Sequence, residues 1–561
     1  VNIPTTTSSS LAWQRLASIL PFTALALLAV LLWLPFGLQV GYYADEWTVM
    51  ADIQKGAFLT GSVRPFELLT WFTAYHLAPD SFAGLNGLML VMIAAKAISA
   101  YLLLTELKLP SLFAFGAAAL LLLYPADSGV FYMGSISIHT SGFLLLLALW
   151  LLARFWRTGR RGLWLPIFIA SALCLGMYEG VFPLFVLAPF MLLYLEGKFS
   201  RRLVAVSLIW FILPLVFGLR IIATLNAPIA ASSYQSMLLA EDKSVGAIVG
   251  SLWRANRVIL ADGWVSAVLQ TVAPTGWSGL RNVPKNTLAN PYIAWVLVGA
   301  LVVAVTVFVL SRREQISPSS KRLLLLLVAS PVIITLGFLL YALTNLRGIN
   351  LRTLLYASTG GALLFASVLW LVGKVLRRPA LVFVVGVVLL GAVGLSSLLF
   401  QHQHYATLGR MQTPVLQTLV QAAPGVETDT TLVVIDETPE RLLSSTFNDL
   451  SLYLEGAARV IYADSSLSAT ICYPAGAAWG QFNEQCRFDV GGISLLFDGV
   501  AYWSRGYEQL AVFRYTADGD LQLVTDLSAY TDQAAAYQPL VRVRADAPLP
   551  TRAVTMLGLV P

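Results

Sequence analysis

Charge is what this sequence has least of. Only 12% of the 561 residues are Asp, Glu, Lys or Arg, 57% are hydrophobic, and the mean hydropathy is +0.74. A water-soluble globular chain carries about a quarter charged residues, so a wholly soluble fold is excluded. Histidine and cysteine are scarce too, with four and three copies. His402 and His404 are separated by one residue, which would put them on one face of a strand, but no acidic ligands follow nearby and no structural zinc is expected. The first predicted strand of the polar C-terminal third is followed by neither G-x-G-x-x-G nor G-x-x-x-x-G-K-[ST]. The net charge of +6 is small for this length. In a membrane protein such an excess reflects cytoplasmic loops, not a nucleic-acid partner.

Long apolar runs are what the sequence does have. Eleven follow one another at 16–38, 82–104, 111–124, 140–152, 163–178, 181–195, 203–225, 293–310, 323–343, 354–372 and 381–400. Their middles are almost free of charge. The basic residues cluster at Arg15, at Lys108, at Arg154 to Arg161, at Lys198 to Arg202, at Arg312 to Arg322 and at Lys374 to Arg378. All fall on one side of the membrane if the N-terminus is cytoplasmic. The expected fold is a polytopic α-helical membrane protein of about eleven transmembrane helices, N-in and C-out, with a C-terminal extracytoplasmic α/β domain. Residues 1–15 form a flexible N-terminus, 16–400 the transmembrane domain with outer loops 39–81 and 226–291, and 401–561 the outer domain. The first run is too long for a signal-peptide core and is expected to be a retained span of the plasma (inner) membrane.

The C-terminal third predicts a helix over 401–423 leaving the membrane, a helix over 441–454, and strands at 431–436, 459–463, 469–472, 493–497, 510–515 and 521–525. Ala517-Asp518-Gly519-Asp520 makes a hairpin turn between the last two. Cys174 sits in an apolar run, whereas Cys472 and Cys486 stand fourteen residues apart in this polar region. Outside the cytoplasm a disulfide between them is permitted, and the loop it closes is worth about 3 kcal/mol in the chain-entropy model. Two separately packed thiols is the other reading.

The unusual polar residues lie on the face opposite the basic loops. Loop 39–81 holds the adjacent carboxylates Asp45 and Glu46, then Arg64, Glu67 and His76. Trp47, Met50 and Ala51 follow at helical spacing, which suits a short helix in the interface plane. The aromatic stretch 65–77 is expected to lie flat or dip into the bilayer. The second outer loop carries Asp127, Tyr132 and His139, and a tight turn displays Tyr178-Glu179-Gly180. Over 245–272 the pattern predicts a re-entrant or interfacial helix, with Trp253, Trp264 and Trp277 in the aromatic belt. The last outer loop supplies Arg347 and Arg352.

Two carboxylates beside hydrocarbon are costly. Solvation at a helix end is one account of them; general-base chemistry on a hydroxyl is the other. An acidic pair just after the first span, in an N-in, C-out chain of eleven spans, resembles the GT-C superfamily of polyprenyl-phosphate-sugar-dependent glycosyltransferases. Protein O-mannosyltransferases and bacterial lipid A aminoarabinose transferases are closest in plan. Arg64-Pro65, Tyr178-Glu179 and Asn350-Leu351-Arg352 resemble further elements of bacterial relatives. The resemblance covers about residues 15–400 and implies a transferase acting on the outer face, with a lipid-linked sugar donor and a protein, glycan or lipid acceptor. It makes Asp45 the catalytic base with Glu46 in support, and Arg352 and Arg347 the grip on the donor phosphate. Arg64, Glu179, Tyr132 and His139 are candidate substrate-binding residues. No cofactor is required, although carboxylates such as Asp45 and Glu46 suit Mg²⁺ or Mn²⁺. A non-catalytic scaffold subunit of an envelope assembly and a transporter or flippase of a lipid-linked substrate are the rival classes.

Overall fold

The computed structural model describes residues 8–60, 64–126, 128–225, 240, 242, 244–272, 283–313, 320–348, 352–439, 441–447, 451–473, 477–478, 483–532 and 536–560. Asp127, Trp277, Asn350 and Leu351 lie outside these residues. The chain divides into two compact units. One comprises Val1–Pro35, Thr60–Glu67 and Met89–Gln403; the other comprises Phe36–Leu59, Leu68–Leu88 and His404–Pro561.

The first unit is helical. Among the described residues of the chain, eight helices are long and apolar enough to cross a membrane. Three shorter apolar helices join them, Ser18–Trp33, Ser111–Leu122 and Arg161–Met177. Each of the eleven apolar runs corresponds to one of these helices. The Arg201–Leu225 helix leaves Leu208 and Leu215 more than half exposed, as do Leu301 and Val328 on other spans. Such a surface is stable only against hydrocarbon, and the chain is a polytopic membrane protein.

Small residues bring helices together where lipid offers no hydrophobic drive. A side chain at Gly360 would come within 2.5 Å of the Ser330 carbonyl oxygen, so the Ser320–Phe338 and Ala357–Val375 helices touch through backbone. Helix bounds differ from the expected spans chiefly where polar residues continue a helix beyond its apolar run. The fourth span begins at Ile136, not at 140, which takes His139 inside it. The last span and the expected exit helix form one helix, Pro379–Ala422. His402 and His404 therefore lie on a helix, not a strand, and diverge: His402 is fully buried, stacked on Phe131 at 4.2 Å, with Nδ1 3.0 Å from the Leu32 carbonyl. The middles of the spans are also less bare than the sequence average suggests. Lys96 lies in the Ala83–Glu106 helix and is buried.

The second unit contains the α/β domain. Strands β1 (Gly425–Val426) and β9 (Val543–Arg544) pair antiparallel. The main sheet has the order β3-β2-β7-β8, built from β2 (Thr431–Asp436), β3 (Ser468–Cys472), β7 (Leu510–Tyr515) and β8 (Leu521–Leu523). β2 is parallel to both β3 and β7 and buried along its whole length, which is why it reads as an unbroken Leu-Val-Val-Ile run. β4 (Gln485–Asp489), β5 (Gly492–Phe497) and β6 (Val500–Gly506) form a separate antiparallel meander. Cys472 and Cys486 are joined by a disulfide with Cα atoms 5.2 Å apart.

The helix expected over 441–454 is met by a short helix, Leu442–Thr446, and by the start of another, Ser451–Tyr462, and two further expectations fail. Residues 459–463 are not a strand; they end the helix Ser451–Tyr462. Val460-Ile461-Tyr462 has strand-like composition, but the burial of Tyr453, Leu454, Ala457, Val460 and Ile461 follows helical spacing. The helix after the carboxylate pair, Asp45–Gln54, does not lay its apolar face on lipid. Trp47, Met50, Ala51 and Ile53 are buried in protein. Trp47 meets Tyr42 and Phe82 edge-to-face at 5.1 and 6.1 Å and donates from Nε1 to Gln412 Oε1 at 2.6 Å. Gly456 of the Ser451–Tyr462 helix lies against the Trp47–Thr48 backbone, where a Cβ would come within 2.7 Å of the Thr48 nitrogen. Periodicity marks an apolar face without saying what covers it.

Candidate functional site

In the second unit the chain reverses at Tyr43–Glu46 with Ala44 at φ 57°, ψ −126°, a conformation made for glycine. The turn puts the two carboxylates to different uses. Glu46 is buried and accepts a short hydrogen bond from the Tyr43 backbone N–H. Asp45 is half-buried, and its Oδ1 accepts from the Tyr453 hydroxyl at 2.7 Å. Burial, reinforced by the Glu46 charge, holds the Tyr42 phenol well above its ordinary pKa, so it stays protonated beside the turn. Ala44→Gly is expected to stabilise this unit by about 1 kcal/mol, because glycine takes the same dihedrals without strain. A lower unfolding temperature for the variant would contradict a strained turn.

In the first unit the polar residues gather around Arg64. Pro65 sets the Arg64–Glu67 turn, in which Glu67 N–H donates to the Arg64 carbonyl at 3.2 Å. The Arg64 guanidinium makes a two-pronged pair with Glu179, Nε to Oε2 at 2.5 Å and Nη2 to Oε1 at 2.7 Å, and Nη1 donates to Glu67 Oε1 at 2.9 Å. It lies 4.1 Å over the Tyr178 ring. Burial alone would favour loss of its proton, but Glu179, Tyr178 and Glu67 outweigh that and raise its pKa well above the usual value. Phe66 N–H donates to the Gly176 carbonyl at 2.9 Å, and a Cβ at Gly176 would strike the Phe66 ring, so this corner is tightly closed.

Arg352 belongs to the same polar region; its charge acts on Glu179 and on Tyr341. Its backbone is left-handed at φ 64°, accommodated by Gly129, where a Cβ would come within 2.4 Å of the Arg352 nitrogen. The guanidinium lies 5.1 Å from the centre of the Tyr132 ring and donates to the Gly134 carbonyl at 3.4 Å. Tyr178 stands 6.5 Å from Tyr341 and 6.3 Å from Tyr356, ring to ring. Burial, with Tyr178 and Tyr356, raises the Tyr341 phenol well above its ordinary pKa. The Tyr356 hydroxyl shares a 2.5 Å hydrogen bond with Ser141 Oγ.

No protein family and no curated protein matches the chain. The chain is similar to ArnT. With the crystal structure of ArnT from Cupriavidus metallidurans bound to undecaprenyl phosphate it shares 13% identity at a TM-score of 0.36, covering 83% of this chain and 90% of that one. With ArnT in the apo state the values are 16%, 0.34, 79% and 85%.

The remaining candidates separate. Arg347 pairs with Asp242, through Nη2 at 3.9 Å and through a short hydrogen bond to the Asp242 carbonyl. His139 is buried, with Nε2 2.9 Å from the Val130 carbonyl and Nδ1 3.2 Å from Lys96 Nζ. Sequence reasoning passed over Lys96 because one cation barely changes the hydropathy of a long apolar run. It passed over Tyr453 because 408 residues separate it from Asp45. Among the described residues, no group of three or more His, Cys, Asp or Glu is placed to hold a metal ion.

Proposed function

We propose that the chain is a GT-C-type glycosyltransferase of the plasma membrane, moving a hexose or pentose from a polyprenyl-phosphate-linked donor to an acceptor on the outer face. The observation that carries this reading is the arginine–tyrosine cluster of the first unit. Two guanidinium groups, two carboxylates and a set of tyrosines are gathered inside an otherwise apolar helical body. Ionisable groups among membrane helices are expensive and mark substrate paths. Arg352 holds the donor phosphate through its planar fork, and Tyr132 keeps that fork in place. Arg64, tied up by Glu179 and Glu67, builds the wall of the site and does not grip the donor. Asp45 is the general base toward the acceptor hydroxyl, whereas Glu46 secures the turn that presents it. The disposition of the basic loops supports an outer C-terminal domain. No cofactor is needed for these roles; a Mg²⁺ or Mn²⁺ ion at Asp45 is compatible with them.

The test uses the full chain in nanodiscs with undecaprenyl phosphate as probe. Arg352→Ala is expected to weaken binding about 10- to 100-fold, the loss of one or more charge-assisted hydrogen bonds. Arg352→Lys recovers part of it. Unchanged binding in the alanine variant overturns the phosphate assignment. Lys96, a buried cation inside a span, favours a second reading as a flippase of the same lipid. That activity would move the lipid-linked sugar across a vesicle membrane without making a new glycosidic bond.

A further inference from the structure

The α/β unit contains a concavity that the transferase reading leaves unused. It has a volume of about 380 Å³ and a mostly polar lining. One wall is the face of the β4–β5–β6 meander turned away from its apolar core. Ile493 and Leu495 point into that core, so by strand alternation Gly492 and Ser494 face the other way. Ser494 stands opposite Ser504 in the register, and Gly492 opposite both Asp489 and Gly506. A side chain at Gly492 would strike the Arg505 carbonyl, and one at Gly506 the Glu508 carboxylate. Both positions are thus closed to a side chain, Gly492 by the backbone of β6 and Gly506 by the Glu508 carboxylate beside it. Asp429 and Ser466 form the facing wall, fixed to each other by a 2.9 Å hydrogen bond from Asp429 N–H to Ser466 Oγ.

The chemistry of this lining is selective. Hydroxyls, an amide at Gln509 and two carboxylates offer donors and acceptors in several directions, with little apolar area to hold a lipid or a hydrophobic peptide. Arg505 is turned back on its own strand, with Nη1 3.0 Å from the Ser504 carbonyl and the guanidinium 5.0 Å over Trp503. Arg487 is engaged with Asp489 at 2.9 Å. Among the described residues, a phosphate would thus meet the Asp429 and Asp489 carboxylates and two arginines already committed to protein partners, and no group of three or more acidic or imidazole side chains is placed to hold a divalent metal. We propose that this cleft binds an uncharged, hydroxyl-rich saccharide. That the saccharide is the acceptor glycan rests on the transferase reading; that it binds does not.

The experiment is saturation-transfer NMR on the full chain in nanodiscs, with mannotriose, cellotriose and N,N′-diacetylchitobiose as probes. Inorganic phosphate and Mg²⁺ serve as competing arms. At least one saccharide is expected to bind saturably. Ser494→Trp, which fills the floor, is expected to weaken it about tenfold or more. Asp429→Gly keeps the left-handed backbone of that residue, at φ 56°, and removes the facing carboxylate; it guards against a folding defect in the first variant and is expected to weaken binding too. Arg352→Ala is expected to leave saccharide binding unchanged. Binding of none of the three, binding that survives both cleft variants, or binding of phosphate or Mg²⁺ alone overturns the proposal. Saccharide binding in a chain that transfers no sugar would sink the transferase reading and leave the cleft intact as a binding site. Transfer in a chain that binds no saccharide here would do the reverse.

Discussion

Arg64→Ala is expected to destabilise the helical unit by about 3 kcal/mol or more. The substitution leaves the Glu179 and Glu67 carboxylates without their shared cation, and removing one partner of a buried pair costs far more than the pair itself contributes. Glu179→Ala should do comparable harm, because Arg64 has only a tenth of its side-chain surface in water. The informative variant is the double one. Arg64→Met with Glu179→Met replaces the pair by apolar groups of similar volume, and Glu67, nearly a third exposed, can turn to solvent. Its loss should be much smaller than the sum of the single losses, a coupling measurable by unfolding in nanodiscs. Strict additivity would mean that the 2.5 Å and 2.7 Å contacts carry no net interaction, and the cluster would lose its part in shaping the site.

Asp45→Asn is the second large effect, and it is expected in turnover, not in folding. Removing a general base typically costs 10²- to 10⁴-fold in rate. The asparagine Oδ1 can still accept from Tyr453, so the unfolding temperature should move little. Glu46→Gln should show the opposite signature. The glutamine Oε1 can still accept from the Tyr43 N–H, but the bond loses its charge and a buried NH2 group is added, so stability falls by about 1–2 kcal/mol while the residual folded fraction turns over normally. Measuring sugar transfer and unfolding side by side separates the two residues. If Asp45→Asn transfers sugar at the wild-type rate, Asp45 is not the base.

The two neighbouring carboxylates show how far the sequence could be read. The apolar runs were plain because the bilayer imposes a length of about 20 residues on every span, and each run became a helix. The carboxylate pair stood out because charge is rare here. What could not be read was the partner of each group. Arg64 and Glu179 lie 115 residues apart, and nothing local in either segment signals the other. The apolar face of Asp45–Gln54 has the same period whether it meets lipid or the Ser451–Tyr462 helix. Strands β4 and β6 were missed because their burial is shallow and mixed, so no clean alternation marks them. Residues 459–463 were misassigned because three bulky residues outweighed the surrounding helical period.

The seat of Asp45 has a consequence for how the protein is made. The helix that carries it rests on Gly456 and is fastened to Gln412 and Tyr453, all synthesised some four hundred residues later. At about 5–20 residues per second, the ribosome needs at least tens of seconds to supply that platform. Throughout this interval the Asp45–Gln54 segment lacks those three contacts. This compact unit is thus assembled from segments far apart in the order of synthesis, and a product interrupted before residue 450 would carry Asp45 without the Tyr453 hydroxyl that it accepts from.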